Sequence, residues 1–310
     1  MKHLCLLAAA CATWAQQPAA DEMPQEMVWV DRAGKVLGKV GAAQMAIFFP
    51  ELSPDGKWIA VSARDGQEND RDIWIHDVAA GTKRAIAPAK GNDNFPVWSP
   101  EGKQIIFTSS RLGNYELYRK DLDPDRPEVL IMKKEGAQYP RSWSPTGKWL
   151  LFTHADAKRD VLLWRLGEDE PIALLGNGPA WTEGARFSPN GLYIAYVSNA
   201  EGPFEVYVAA TREPRKRWKV SRPLANGWAG GGGQVRWRAD GRELFYMMGN
   251  ETMMSVEVST GEGEFQHSAP KRLFAISRMK GNFPEEAPWL PKYDVTADGQ
   301  KFVFVGTVKK

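Results

Sequence analysis

Cysteine is almost missing from this chain of 310 residues: there are two, Cys5 and Cys11, both within the first eleven positions. Everything after Cys11 is therefore without a disulfide framework or a cysteine metal site. Histidine is scarce as well, with four copies and no His-Glu-x-x-His pattern, so a multi-histidine metal site has too few ligands. His3 is expected in the signal, His154 and His267 are expected in loops, and His76 is expected to be a solvated strand residue. Charge of one sign is lacking: 40 Lys and Arg stand against 38 Asp and Glu, a net of +2. That balance gives no electrostatic case for nucleic acid or an anionic membrane as partner. No apolar run approaches the roughly 20 residues of a membrane-spanning helix, and no long segment keeps helical periodicity. A Gly-x-Ser-x-Gly nucleophile elbow is also absent.

Tryptophan, by contrast, is abundant, with 13 copies, and 29 Gly and 21 Pro predict many turns. The first residues combine Lys2, a short apolar run from Leu4 to Ala12 and Ala15 ahead of Gln16. A basic start, an apolar core and a small final residue form a secretory signal. Residues 1–15 are expected to be that signal, 16–25 a linker and 26–310 the folded body. An alternative processing is lipid attachment at Cys11, although Ala8 stands where a lipoprotein signal usually has Leu. Either route places the chain in the periplasm or outside the cell.

Self-similarity organises the rest. Six segments share a large residue, a small polar residue, often Pro, and a turn closed by Gly. They are Leu52 to Gly56, Trp98 to Gly102, Trp143 to Gly147, Phe187 to Gly191, Trp237 to Gly241 and Val295 to Gly299. Successive glycines lie 46, 45, 44, 50 and 58 residues apart. Glycine suits such turns because it takes positive φ without a Cβ clash. Strand-like runs rich in β-branched and aromatic residues follow each turn. Four short strands in a period of about 45 residues describe a β-propeller blade. The expected fold is all-β, a six-bladed propeller. The last unit has one strand after Gly299, while two strands, Met27 to Arg32 and Lys35 to Val40, are spare at the start. The N-terminal strands should complete the C-terminal blade and so remove open sheet edges. Trp98, Trp143 and Trp237 share one equivalent place and are expected to fill wedges between blades.

The Ser-Pro-Asp-Gly-Lys motif with its following strand and Asp72-Ile73-Trp74 resembles the PD40 repeat of TolB-type propellers. Phe187 to Ser198, Glu205 to Val208, Trp237 to Tyr246 and Tyr293 to Phe302 resemble the extracytoplasmic propeller of bacterial receptor-like serine/threonine kinases most closely. No kinase motif precedes the repeats. TolB carries an additional N-terminal α/β domain, whereas only residues 16–25 are expected between the signal and the first strand here, so TolB's partners do not carry over with the resemblance. The resemblance implies a fold and only a general role, because one fold serves many functions.

The position just before each core residue lies on the innermost strand of its blade: Glu51, Val97, Ser142, Arg186, Arg236 and Asp294. Four of the six are charged, and charges are seldom buried unpaired. Either Glu51, Arg236 and Asp294 pair between blades, or they face a wet axial channel. The loops entering these strands bring Asn94, Gln138, Glu183 and Lys292 to one channel mouth, where with Arg186 they are candidate ligand contacts. Gly230 to Gly233 reads as a flexible loop, Ile276 to Pro291 as an ordered one, and Arg212 to Lys219 as a solvated basic hairpin. Asp65, Glu68, Asp70 and Asp72 lack the spacing of a calcium loop and read as surface. The expected function is non-catalytic binding of an envelope protein or peptide, by a monomer, with no cofactor and no metal. The alternative from another class is a glycan or cell-wall fragment, for which exposed Trp181 and Trp289 near the mouth would speak. An enzyme would need a convergent polar cluster that the sequence does not show.

Overall fold

The computed structural model describes residues 24–65, 70–155, 160–176, 178–222, 232–249, 251–261, 264–276 and 292–306. Residues 1–15, expected to be a secretory signal, both cysteines, Glu68, Gly230, Trp289 and nearly all of the 276–291 segment lie outside the described residues. Within them there are strands and turns and no α-helix.

The chain opens with β1 (Gln25–Asp31) and β2 (Val36–Leu52), followed by β3 (Trp58–Arg64), β4 (Asp72–Asp77) and β5 (Lys83–Ala85). A second unit is β6 (Asp93–Trp98), β7 (Gln104–Ser109), β8 (Glu116–Asp121) and β9 (Val129–Met132). A third is β10 (Ala137–Trp143), β11 (Trp149–Ala155), β12 (Asp160–Arg165) and β13 (Ile172–Leu175). The fourth is β14 (Thr182–Phe187), β15 (Tyr193–Ser198), β16 (Glu205–Ala210) and β17 (Arg217–Lys219). In the fifth, β18 (Gly232–Trp237) and β19 (Glu243–Met248) lead to β20 (Thr252–Ser259), whose two halves pair with β22 (Lys271–Ala275) and β21 (Gln266–His267). Finally β23 (Tyr293–Val295) pairs with β24 (Lys301–Gly306), and β24 pairs antiparallel with β1, from Glu26 opposite Gly306 to Asp31 opposite Lys301.

β2 joins the ends. Its first half pairs with β1 and finishes the last unit; its second half pairs with β3 and begins the first. Hence one sheet has seven strands, in the order β23-β24-β1-β2-β3-β4-β5, and divides at β2 into two four-stranded sets. The N-terminal strands do complete the C-terminal unit. The innermost strands β2, β6, β10, β14, β18 and β23 each touch the next, and β23 touches β2 again, so the ring is closed.

The repeated motif has one local cause. In Ser53 to Trp58 the Gly56 N–H donates to the Ser53 carbonyl (2.8 Å), and the Ser53 hydroxyl accepts the Trp58 N–H (3.0 Å). Gly56 has φ +70, as the turn demands. The same closure recurs at Ser99, Ser144, Ser188 and Thr296. The large residue before it fills the space between units. Trp98 is buried against Ala60, Ile73 and Ile75 of the first unit. Its Nε1–H donates to the Glu51 carbonyl (2.9 Å), and Trp237 Nε1–H to that of Arg186 (3.2 Å), each on the preceding innermost strand.

His76 corrects the expectation of a solvated residue: it is fully buried. The cause is the unbroken course of β2, which passes over β4 on its way from the last unit to the first. His76 Nδ1 accepts the Ala42 N–H (3.2 Å), so Nε2 carries the proton and donates to Gln44 Oε1 (3.1 Å). Gly41, at φ +69, makes room: a Cβ there would stand 2.8 Å from Nδ1. Burial first, then the charge of Lys83, pulls the imidazole down to about 4. The group is thus neutral in the fold when the unfolded chain, near 6.5, already binds a proton. Its stabilising contribution is complete above pH 6.5 and is lost as pH falls toward 4. We expect the stability difference between the protein and His76→Gln to shrink by about 3 kcal/mol across that window. Urea midpoints of both forms at pH 7.5, 5.5 and 4 measure it, and taking the difference removes carboxylates that titrate in both. A difference that is flat with pH would overturn the assignment.

Candidate functional site

Five of the six innermost strands carry a β-bulge just before their last residues; β23 pairs with β24 in unbroken register. The ladder skips two residues between Phe48 and Glu51, Asn94 and Val97, Glu183 and Arg186, and Gly233 and Arg236, and one between Pro140 and Ser142. A bulge re-aims the following side chains, and here the residue after it turns to the axis. Pro50 and Pro96 sit in the skipped positions, where no ladder bond needs the missing N–H.

At that level the axis is occupied by charge. Both Nη atoms of Arg186 bond the Glu51 carboxylate, Nη2 at 2.7 Å. Arg236 Nη2 approaches the same carboxylate at 3.5 Å, and its Nε donates to Asp294 Oδ1 at 2.8 Å. Asp294 also accepts the N–H groups of Leu52 (2.6 Å) and Val295 (2.9 Å). Burial pushes the Asp294 carboxyl up, opposed by Arg236 and by the Leu52 N–H. Glu51 belongs to the first unit and Arg186 to the fourth, three units away in either direction, so their pair spans the axis. The cluster carries two positive and two negative groups. Val97 is buried beside it, and the Ser142 hydroxyl accepts the Phe187 N–H (3.1 Å). Above the cluster a cavity of about 20 Å³ is lined by Phe49, Phe95, Arg141 and Gln234 among others, room for about one water. The channel is therefore stopped, and a ligand at the mouth meets a floor.

The loop residues expected at the mouth are buried and bonded. Asn94 Oδ1 accepts from Ser62 Oγ (2.9 Å) and Arg71 Nε (3.2 Å) of the preceding unit. Glu183 accepts from Arg141 (2.8 Å) and Thr153 (3.0 Å) of the preceding unit. Gln138 donates to the Gly136 carbonyl (2.7 Å), and the Lys292 N–H donates to Gln234 Oε1 (2.7 Å). Asn94, Glu183 and Lys292 thus tie adjacent units together, while Gln138 pins its own entry loop. Asp65, Asp70 and Asp72 are likewise spent, on Lys83 (3.1 Å) and on the N–H groups of Gly91 (2.9 Å) and Ala89 (3.2 Å). Among the described residues no group of three or more His, Cys, Asp or Glu is placed to hold a metal ion.

What the mouth offers instead is a row of rings. Phe49 and Phe95 stack at 4.0 Å; Phe95 meets Tyr139 at 5.1 Å, Tyr139 meets Tyr115 at 5.8 Å, and Phe48 meets Phe49 at 5.8 Å. Phe48, Phe95, Tyr115 and Tyr139 are half-buried and keep surface toward solvent. Arg71 lies over Phe48 (5.3 Å) and Arg141 over Phe95 (4.7 Å). The backbone is strained to place them. Phe49 has φ +54, Phe95 φ +55 and Gln234 φ +58, where the fourth unit has Gly184 at +63. Bulky residues rarely take that conformation, and such strain collects at functional places. The sequence did hold a signal: the dipeptides Phe49-Pro50, Phe95-Pro96 and Tyr139-Pro140 recur just ahead of the core position in three successive units.

Comparison with known proteins agrees with this architecture. The family model described as TolB beta propeller domain, PD40, matches residues 25–227. An uncharacterized protein of Agrobacterium fabrum is 28% identical over 156 residues, which cover 47% of this chain and 52% of that protein. The Tol-Pal system protein TolB of Francisella tularensis is 28% identical over 153 residues, 48% of this chain and 34% of TolB. The chain thus spans about half or less of the length of these relatives. Among solved structures, one described as TolB from Agrobacterium tumefaciens superposes with a TM-score of 0.67 at 15% identity, over 93% of this chain and 99% of the other. With its closed ring of four-stranded units and the family match over most of the repeats, the chain belongs to the PD40 family of TolB β-propeller domains.

Proposed function

We propose that the chain is a non-catalytic binding module of the periplasm or the cell exterior that takes a protein or peptide segment at the ring-lined mouth. The observation that carries this reading is the row Phe48, Phe95, Tyr139 and Tyr115, half-exposed above a channel that Glu51 and Arg186 stop. Aromatic side chains of this kind dominate the energetics of recognition surfaces. The buried bonds of Asn94, Gln138, Glu183 and Lys292 fix the strand entries beside the rings, and the Arg141 guanidinium packs on Phe95 at 4.7 Å. Relatives named as Tol-Pal system proteins support an envelope partner for this chain too. The signal-like residues 1–15 support export, with Cys11 as the alternative anchoring point. The balanced charge supports no nucleic-acid role, and the single closed ring supports action as a monomer.

Phe95→Gly is the informative variant, since glycine relieves the positive φ while deleting the ring. Peptides selected by the protein from a displayed random library should bind Phe95→Gly and Tyr139→Ala at least tenfold more weakly, with the urea midpoint of Phe95→Gly nearly unchanged. Equal binding by the variants would remove the mouth from consideration. The second reading, a glycan, draws on the same rings and on half-buried Trp181. Retention on a glycan array with no peptide selected would favour it.

A further inference from the structure

The outermost strand of each unit has one side that pairs with nothing among the described residues. Such an edge offers free N–H and C=O groups to another strand, and an exposed cation on the edge is a common guard against it. Here the guards are Lys39 in the first half of β2, Arg84 in β5, Lys219 in β17 and Arg272 in β22, all exposed. β9 has none within it but is followed at once by Lys133 and Lys134. β13 has neither: from Leu166 to Ala185 the chain contains no lysine or arginine.

β13 is also open on both faces. Ile172, at 57%, is the most exposed large apolar side chain among the described residues, and its neighbour Ala173 is exposed too. Successive strand residues point to opposite faces, so exposure of both leaves the backbone between them clear. Behind them on β12, half-buried Leu163 stands opposite Ile172 and half-buried Leu162 opposite Ala173. An added strand would meet apolar neighbours on either face.

The hairpin leading into β13 is acidic. Glu168, Asp169 and Glu170 are all exposed, with Arg165 the one cation beside them in sequence. Arg165 bonds Glu168 (2.5 Å) and Lys134 of the second unit bonds Glu170 (2.7 Å), while Asp169 makes no ion pair among the described residues. At the other end of the strand, Arg215, Lys216 and Arg217 share a cleft with Leu175, but Glu213 stands in their own hairpin and Glu264 and Glu201 pair with Lys216 (3.4 Å) and Arg217 (3.7 Å). The edge therefore has surplus negative charge at its start and a balanced end. An antiparallel second copy would lay each acidic start along the other's balanced end and compensate neither. A strand that ends in cations compensates the hairpin directly.

We propose that β13 takes up an extended segment of another protein as a fifth strand of the third unit, antiparallel to β13, β-branched through its middle and ending in lysine or arginine. Main-chain bonds to the unguarded edge supply the affinity, and the cations against Glu168 to Glu170 set the direction and register. The edge lies on the outside of the ring, so this inference goes beyond the mouth reading and does not rest on it.

The test titrates the full chain into the fluorescein-labelled, C-terminally amidated peptide Thr-Val-Thr-Ile-Thr-Val-Lys-Lys and follows anisotropy. Saturable binding is expected. Ending the peptide in Glu-Glu should weaken it at least tenfold. Ile172→Lys, which supplies the guard found on the other edges, should do the same with an unchanged urea midpoint, whereas Leu130→Lys on β9 should leave binding within threefold. Methylating the main-chain nitrogens of alternate peptide residues reports on edge pairing itself, because only every second residue turns its N–H to the neighbouring strand. One alternate set should abolish binding and the other should leave it within threefold. No saturable binding, equal binding by Ile172→Lys, or equal effects of the two methylations would overturn the proposal. Loss of binding in Phe95→Gly with Ile172→Lys unaffected would overturn it by placing the peptide at the mouth. A dimer dispersed by Ile172→Lys, with no peptide bound, would overturn it in favour of a second copy.

Discussion

Deleting residues up to Val40 should abolish the cooperative fold. β1 and the first half of β2 supply the third and fourth strands of the last unit, so the deletion frees one edge of β24 along six residue pairs. It removes Met27, Val30 and Val40, all buried, from contact with Val303, Val305 and Phe302. Each fully buried side chain of this kind is worth about 1.5–3 kcal/mol. Three of them approach the whole stability of a typical domain, about 5–15 kcal/mol. Arg32 is lost as well. It bonds Glu243 (2.6 Å) across the last two units and lies over Phe245 at 5.5 Å, and its loss leaves a buried carboxylate with fewer donors. The expected result is no sharp urea transition in tryptophan fluorescence, with recovery when a peptide of residues 24–44 is added in excess. A truncated chain that unfolds within about 1 kcal/mol of the parent would show that closure contributes little, against the burial argument.

The closure was legible because the last repeat stops two strands short and two strands precede the first. Its execution was not. Nothing local says that β2 runs unbroken through Gly41, because that glycine looks like a turn residue until His76 is seen beneath it. The same limit explains the mouth. Periodicity along one strand tells which face a residue takes, but burial is decided by the neighbouring unit. Asn94 reads as a loop polar residue, yet Ser62 and Arg71 of another unit cover it. Phe49 and Phe95 read as ordinary strand aromatics, since a strand residue is expected at negative φ, and only the bulge turns them into the row. The turn motif, in contrast, is closed by bonds within six residues, and so it was readable in full.

The axial charges give the other large effect. Arg236 and Asp294 stand at equivalent places on adjacent innermost strands, both nearly inaccessible, and meet at 2.8 Å. Taking either away leaves the other buried and short of partners, at a cost of about 3–5 kcal/mol. Asp294→Ala should be the more damaging, because it also strands the Leu52 N–H and leaves the Arg236 guanidinium with the Val235 carbonyl (3.0 Å) and, as its nearest carboxylate, the distant Glu51 at 3.5 Å. Arg236→Ala leaves Asp294 with two backbone donors, and Glu51 keeps both bonds to Arg186, so its cost should sit at the lower end. Replacing the pair together, Arg236→Met with Asp294→Leu, should recover much of the loss, since apolar residues of similar volume satisfy a dry site. A double-mutant cycle of urea midpoints measures the coupling, expected above about 1 kcal/mol for a pair that is both buried and hydrogen-bonded. Single variants within about 0.5 kcal/mol of the parent, with no coupling, would mean that water reaches the axis and solvates each charge on its own. The channel would then be open to ligand groups at that depth, and the floor on which the mouth reading depends would be gone.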